Sequence, residues 1–162
     1  MADTHEPAGA SDPHNLNRFV RAQAGDPKQA LGDYEQALRE IRSGRKQSCW
    51  MWYIFPTFTG LWTGRMSTRY SIKSIAEAKA YLAHPVLGPR LRACTEAVLG
   101  VEGRSAVEIF GSPDVKKLRS CATLFAFVSP EGSVFERLIA KYYRGERGGD
   151  TLRLLEMASE VK

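Results

Sequence analysis

Apolar residues recur at helical spacing along most of this chain. Leu31, Tyr34, Leu38 and Ile41 follow one another at intervals of three, four and three residues, which places them on one face of a helix. Gly44 follows directly and ends the stripe, as glycine commonly does beyond a helix C-terminus. Similar stripes between residues 88 and 157 predict several further helices.

Helix-start signals precede these stripes. Asp12-Pro13 and Asp26-Pro27 each place a capping carboxylate before a proline at the first helical position. Ser74–Glu77 and Ser105–Glu108 have the spacing of capping boxes, and Asp150 is placed to cap a last helix. Local chemistry therefore favours helices over most of the chain.

One stretch has no charge and no clear period. Residues 48–62 read SCWMWYIFPTFTGLW and hold six of the 16 aromatic residues, including all three tryptophans. The start of the run fits a buried strand or one turn of buried helix, and Pro56 and Gly60 interrupt its second half. No second strand run is evident, and a lone strand has nothing to pair with. We therefore predict an all-α fold, a compact single-domain multihelical bundle of about seven helices.

Composition sets the class of protein. The chain has 162 residues, 43% of them apolar and 25% charged, which is ordinary for one globular domain. We expect residues 1–11 to form a flexible tail and residues 12–162 to form the domain. The net charge of +5 is scattered, so solvated helix faces explain it better than a nucleic-acid partner.

The three cysteines have no CxxC spacing, which argues against a disulfide framework or a zinc site. We expect a reducing, cytoplasmic setting, with no metal and no cofactor. Residues 47–64 carry no charge, but they contain Pro56, Gly60 and several hydroxyl side chains. The stretch is also shorter than the roughly 20 apolar residues of a membrane span, so we expect no membrane partner.

Several stretches together resemble a known family. They are LNRFVRAQ, YEQALREIRSGRKQS, CWMWYIFP, AKAYLAHPVLGPRL, IFGSPD, KLRS and TLFA. They are similar to a bacterial family of unknown function numbered eighteen-ten, whose members are often labelled calpastatin. The resemblance covers about residues 12–157 and implies an all-helical domain. It implies no established activity.

The chain departs from this family's pattern inside the signature stretches. It has His14 where the family has phenylalanine, Cys49 for histidine, Thr57 for glutamine, Trp62 for glycine, Cys121 for serine and Ala122 for methionine. The changes introduce a thiol, an imidazole and an indole, and they shorten two side chains. The comparison suggests a pocket re-cut on an existing scaffold, by divergence or by engineering.

These departures suggest a thiol-dependent ester (acyl) hydrolase. A cysteine nucleophile needs a base that draws off its proton, and a Cys–His pair attacks esters through an acyl-enzyme. We predict His14 as the base and Cys49, with Cys121 as the second candidate, as the nucleophile. Ala122 would leave room for a small aromatic or acyl ester substrate.

Other interpretations stay open. Free cysteines in such domains more often fill the core than catalyse, and His14 could simply bond a nearby carbonyl. A second hypothesis is a non-catalytic pocket for a small aromatic or nucleotide-like ligand, lined by Trp52, Thr57 and Trp62. A third is a basic module that contacts RNA or an acidic partner.

Overall fold

Helices joined by short loops make up nearly all the regular structure. The computed structural model describes residues 11–25 and 31–160. Within them lie ten helices: α1 (Asn17–Ala24), α2 (Tyr34–Arg42), α3 (Met51–Ile54), α4 (Arg65–Tyr70), α5 (Ile75–Ala83), α6 (Leu87–Leu99), α7 (Ala106–Phe110), α8 (Asp114–Phe127), α9 (Val134–Tyr143) and α10 (Gly149–Glu160).

The predicted all-α class is confirmed for the described residues, but the number of helices is ten instead of about seven. Two of the additional helices are short; the sequence pattern left α3 open between a strand and one turn of helix, and it did not predict α4. Helix α3 is a single turn inside the aromatic run, and α4 lacks an apolar stripe. Among the described residues, the nearest approach to a sheet is one isolated parallel bridge between Phe58 and Ile72.

Capping residues account for the starts of several helices. Ser105 and Glu108 form a reciprocal capping box at α7, as predicted. Ser74 accepts a hydrogen bond from the Glu77 amide, but the Glu77 carboxylate bonds the Lys73 amide instead of closing a box. Asp33 caps α2. The predicted cap at residues 26–27 and nearly all of the predicted tail lie outside the described residues.

Helix α8 runs through the centre of the core. It packs against α5, α7, α9 and α10. Its residues from Ser120 to Ala126 are all buried, so the helix has no solvent face along that stretch. Its first turns reach the surface, where Lys116, Lys117 and Arg119 remain at least partly accessible, and Phe127 at its other end is exposed.

Most of the aromatic run is core. Trp50 is 0% exposed, and Tyr53 and Phe55 are also buried. The Trp50 and Phe55 rings both pack edge-to-face against Phe110. The ring centroid of Phe110 lies 6.2 Å from that of Trp50 and 5.9 Å from that of Phe55. Trp52 is only half-buried, because the single turn of α3 directs it away from its neighbours on the chain. The run therefore anchors the core and presents one indole at the surface.

The Glu40 carboxylate fixes where this run enters the core. It accepts hydrogen bonds from the Gln47 amide, the Ser48 amide and hydroxyl, the Trp50 indole and the Gln36 amide group. Burial by itself would raise the pKa of Glu40, but the bonds from Ser48, Gln47 and Trp50 outweigh it and lower the pKa to about 2.

A buried ion pair joins α1 to α5. Arg18 and Glu77 lie 2.8 Å apart with side chains 8% and 2% exposed. The Arg18 guanidinium also donates to the backbone carbonyls of Arg69, Ser71, His14 and Asn15. All five contacts are short, so the charge is fully solvated by protein groups.

Replacing one member of this pair should be strongly destabilising. Arg18→Leu leaves the Glu77 carboxylate buried without its cation, and we expect a loss of about 3 kcal/mol or more in the free energy of unfolding. Urea denaturation followed by circular dichroism measures this. The matched control is Arg137→Leu, which removes an exposed ion pair with Glu96 and should cost less than about 1 kcal/mol. Equal losses in the two variants would contradict the assignment.

Glu40 should make stability depend on pH in the acid range. Its pKa is about 2 in the fold against an ordinary value of 4.5, so its contribution is full above pH 4.5 and disappears as the pH falls towards 2. We expect Glu40→Gln to be less stable than the wild type at pH 6. As the pH falls from 4.5 towards 2, the variant should lose less stability than the wild type does. Thermal melts across the range test it, and a wild-type slope in the variant would contradict it.

Candidate functional site

Three residues that the sequence predicted for a pocket line one cleft. Trp52 comes from α3, Thr57 from the segment after Pro56, and Trp62 from the loop before α4; Lys117 of α8 joins them. We call this the aromatic cleft; its other lining residues are Met51, Phe55, Ser67 and Tyr70. The free space inside is about 10 Å³, which is room for one water molecule.

Lys117 closes the aromatic cleft. Its Nζ lies 5.7 Å from the ring centroid of Trp52 and 5.7 Å from that of Trp62. An ammonium group between two indole faces is attracted to both by their negative ring potential. Sequence reasoning treated Lys117 as part of a solvated helix face, since nothing local shows that two distant tryptophans meet it.

Trp62 also borders two more open clefts. The hydroxyl cleft has a volume of about 210 Å³ and is lined by Thr57, Phe58, Thr59, Gly60, Trp62, Thr63, Ser67, Thr68 and Ser71. The α10 cleft has a volume of about 260 Å³ and is lined by Leu61, Trp62, Lys116, Arg119, Ser120, Gly148, Gly149, Asp150 and Thr151. Trp62 thus separates a surface rich in hydroxyl groups from one that carries cations.

His14 lies in a different cleft. This basic cleft has a volume of about 450 Å³ and is lined by Pro13, His14, Asn15, Arg18, Arg21, Thr68, Arg69, Lys73, Ser74 and Glu77. Its inner charges already have protein partners, since Arg18 binds Glu77 and Lys73 Nζ donates to the carbonyls of Thr68 and Ser71. Burial, and then the charge of Arg18, lower the pKa of Lys73.

The cysteines line none of these four clefts. Cys49 is exposed, and its carbonyl accepts hydrogen bonds from the Gly32 amide and the Tyr53 hydroxyl. Cys121 is 1% exposed inside the core. Burial raises the pKa of the Cys121 thiol well above its ordinary value, and burial raises that of Cys94 to about 12. Neither buried thiol is prepared to form a thiolate.

The structure therefore does not bring the proposed catalytic groups together. His14 shares no described cleft or hydrogen bond with Cys49 or Cys121. Ala122 is 2% exposed on α8 and packs within the core, so it does not open the aromatic cleft as we expected. His84 accepts hydrogen bonds from the Val86 and Leu87 amides at Nδ1, at the start of α6.

Metal-binding clusters and membrane-spanning helices are both absent from the described residues. Within residues 11–25 and 31–160, no three His, Cys, Asp or Glu side chains are grouped so as to hold a metal ion. In the same ranges, none of the helices has both the length and the apolar character that crossing a membrane requires.

Comparison with known proteins adds the family. A solved structure, that of the conserved hypothetical protein Rv1873 from Mycobacterium tuberculosis, is similar to this chain with a TM-score of 0.83. The two sequences are 47% identical over 90% of this chain and 99% of that one. No protein with a curated description matches. The family model described as "Protein of unknown function (DUF1810)" matches residues 13–155. The chain therefore belongs to the DUF1810 family.

Proposed function

We propose that this domain binds a small ligand with a flat aromatic group, such as a nucleobase, against Trp62. The observation that carries the proposal is the position of Trp62, a half-buried indole that borders three neighbouring clefts. A tryptophan accessible at the meeting point of several concavities is a stacking surface, and most binding sites combine such surfaces with a few polar groups.

The hydroxyl cleft supplies those polar groups. Thr57, Ser67 and Thr68 line it beside Trp62, and hydroxyl groups both donate and accept hydrogen bonds. This suits the mixed donor and acceptor edge of a nucleobase. The aromatic cleft itself has no room for a ring while Lys117 is in place. We therefore place the aromatic group of the ligand in the hydroxyl cleft, with Trp62 as its wall.

Ester hydrolysis by a Cys–His pair stays a prediction with weaker support. Cys121 would need to leave the core, and Cys49 lines none of the four clefts. His14 faces a separate cleft of cationic character. None of these contacts supports the hypothesis of an engineered pocket. Ligand binding without covalent chemistry explains more of the site.

Removing the Trp62 ring should weaken binding of an aromatic ligand. With adenosine as the probe, we expect Trp62→Ala to raise the dissociation constant about tenfold, because stacking of one base on an aromatic ring contributes about 1–3 kcal/mol. Trp62→Phe should keep part of the affinity. Isothermal titration calorimetry measures both variants.

Phe127→Ala is the matched control, since this exposed ring on α8 lines none of the four clefts and its loss should not change affinity. Adenosine that binds Trp62→Ala as tightly as the wild-type chain, or that does not bind the wild type at millimolar concentration, would overturn the proposal.

The thiols should react in the order of their exposure. We expect a disulfide reagent such as dithionitrobenzoate to modify Cys49 quickly in the folded protein, and Cys94 and Cys121 only after unfolding. Absorbance of the released thiolate counts them.

We also expect no hydrolysis of p-nitrophenyl acetate above that of the Cys49→Ala, Cys121→Ala double variant. If the wild type hydrolyses the ester and both iodoacetamide and His14→Ala abolish this activity, the hypothesis of a catalytic Cys–His pair would be supported instead.

A further inference from the structure

The first turn of α10 presents unpaired amides to the α10 cleft. The helix runs for 12 residues from Gly149, and the first three amides, those of Gly149, Asp150 and Thr151, have no hydrogen-bond acceptor within the described part of the chain. Helix N-termini of this kind carry partial positive charge. A Cβ on Gly149 would meet nothing within 4 Å, so the backbone is open to a ligand there.

A second, independent feature of this cleft is an unsatisfied hydroxyl. Thr151 is 0% exposed and lines the cleft. Its Oγ1 is the one buried side-chain N or O atom without a hydrogen-bond partner among the described residues. Leaving such a group unpaired costs about 1–3 kcal/mol, so each instance requires an explanation.

A nearby hydroxyl group does not pair with Thr151. The hydroxyl of Thr123 donates its proton to the Arg119 carbonyl and accepts the Gly148 amide, so it has no proton left to donate to Thr151. A Cβ on Gly148 would lie 3.6 Å from both threonine hydroxyls, in ordinary contact. Glycine at 148 therefore leaves space beside the unpaired Oγ1, next to the open amides of the following turn.

Two cations face the same cleft. Lys116 is exposed and Arg119 half-buried on the first turns of α8, and neither forms an ion pair in residues 11–25 or 31–160. The Arg119 guanidinium lies 5.6 Å from the Tyr143 ring centroid, which restricts its orientation. Asp150 opposes them, but its carboxylate is exposed and lies 3.2 Å from Arg153.

We propose that the α10 cleft binds a phosphate group. The open amides of α10, the Thr151 hydroxyl, Lys116 and Arg119 would share its oxygens, as donors and cations do around phosphates at helix N-termini. The inference deepens and rests on the proposed function, because Trp62 borders both this cleft and the hydroxyl cleft. The ligand class is then a phosphorylated aromatic compound, with a nucleoside monophosphate as the simplest case.

Inorganic phosphate tests the anion site by itself. We expect the wild-type chain to bind it in calorimetric titration, and Lys116→Ala and Arg119→Gln each to weaken it about tenfold, since each removes one charge-assisted contact. Lys79→Ala is the control, because Lys79 is an exposed helical lysine outside the four clefts and its loss removes the same net charge. No binding of phosphate by the wild type, or equal weakening by Lys79→Ala, overturns the proposal.

The Thr151 hydroxyl distinguishes a ligand contact from a structural one. Thr151→Val keeps the shape and removes the unpaired group, so the free protein should melt at the same temperature or higher. The rise in melting temperature that phosphate causes in the wild type should shrink in this variant. Thr95→Val is the control, since Thr95 is buried and already bonded to the Leu91 carbonyl. A large loss of stability without phosphate in Thr151→Val would show a structural role and overturn the assignment.

Asp150 reports the sign of the ligand. Asp150→Asn removes a negative charge beside the cleft and should tighten phosphate binding several-fold at low salt, with less effect at high salt. Weaker binding in this variant would contradict an anion site.

Adenosine and adenosine monophosphate separate this inference from the proposed function. We expect the monophosphate to bind more tightly than adenosine, and Lys116→Ala to remove that advantage. Adenosine binding without any phosphate effect would leave the aromatic site standing and overturn the anion site. Binding of inorganic phosphate that depends on Lys116, without binding of adenosine, would do the reverse.

Discussion

The Glu40 carboxylate is the constraint on which the arrangement of the site depends. An uncharged run of aromatic residues must enter the core, and the backbone and indole N–H groups at its start must still be paired. Glu40 on α2 accepts from Gln47, Ser48 and the Trp50 indole at once. With Trp50 held inside, the single turn of α3 places Trp52 at the surface, where it meets Lys117.

Trp62 owes its importance to the break at the end of this run. Pro56 and Gly60 end regular structure, and the bridge between Phe58 and Ile72 closes the loop that contains α4. The loop that carries Trp62 is thereby placed between the first turns of α8 and the start of α10. Three separate parts of the sequence meet at one indole, which explains why three clefts share it.

The positive charge of the protein is used in two ways. Some cations bind other groups of the protein: Arg18 binds Glu77 and four backbone carbonyls, and Lys46 forms an ion pair with Asp114 at 2.9 Å. These contacts make them structural, since a ligand would have to replace bonds already made. Lys116 and Arg119 instead face an open cleft beside unpaired amides. A net charge of +5 therefore says less about ligands than the position of individual cations does.

The sequence by itself determined what depends on neighbours along the chain. Helical stripes and the Ser105–Glu108 box are local, because a helix repeats every few residues and its cap is satisfied within one turn. The aromatic run, with its departures from the family pattern at Thr57 and Trp62, also identified Trp52, Thr57 and Trp62 as pocket residues, and the structure places them in one cleft.

Only the tertiary structure decided which helices cover each other. Periodicity shows that a face is buried but not what buries it, so Cys121 and Ala122 could look like pocket residues until α8 proved to be central. The single turn α3 exists because packing holds it, since so short a helix has little stability of its own. Lys117 lies between two indoles that are distant from it in the sequence. The Thr151 hydroxyl lies beside Gly148 because packing holds the loop before α10 in place. No local sequence pattern encodes either contact.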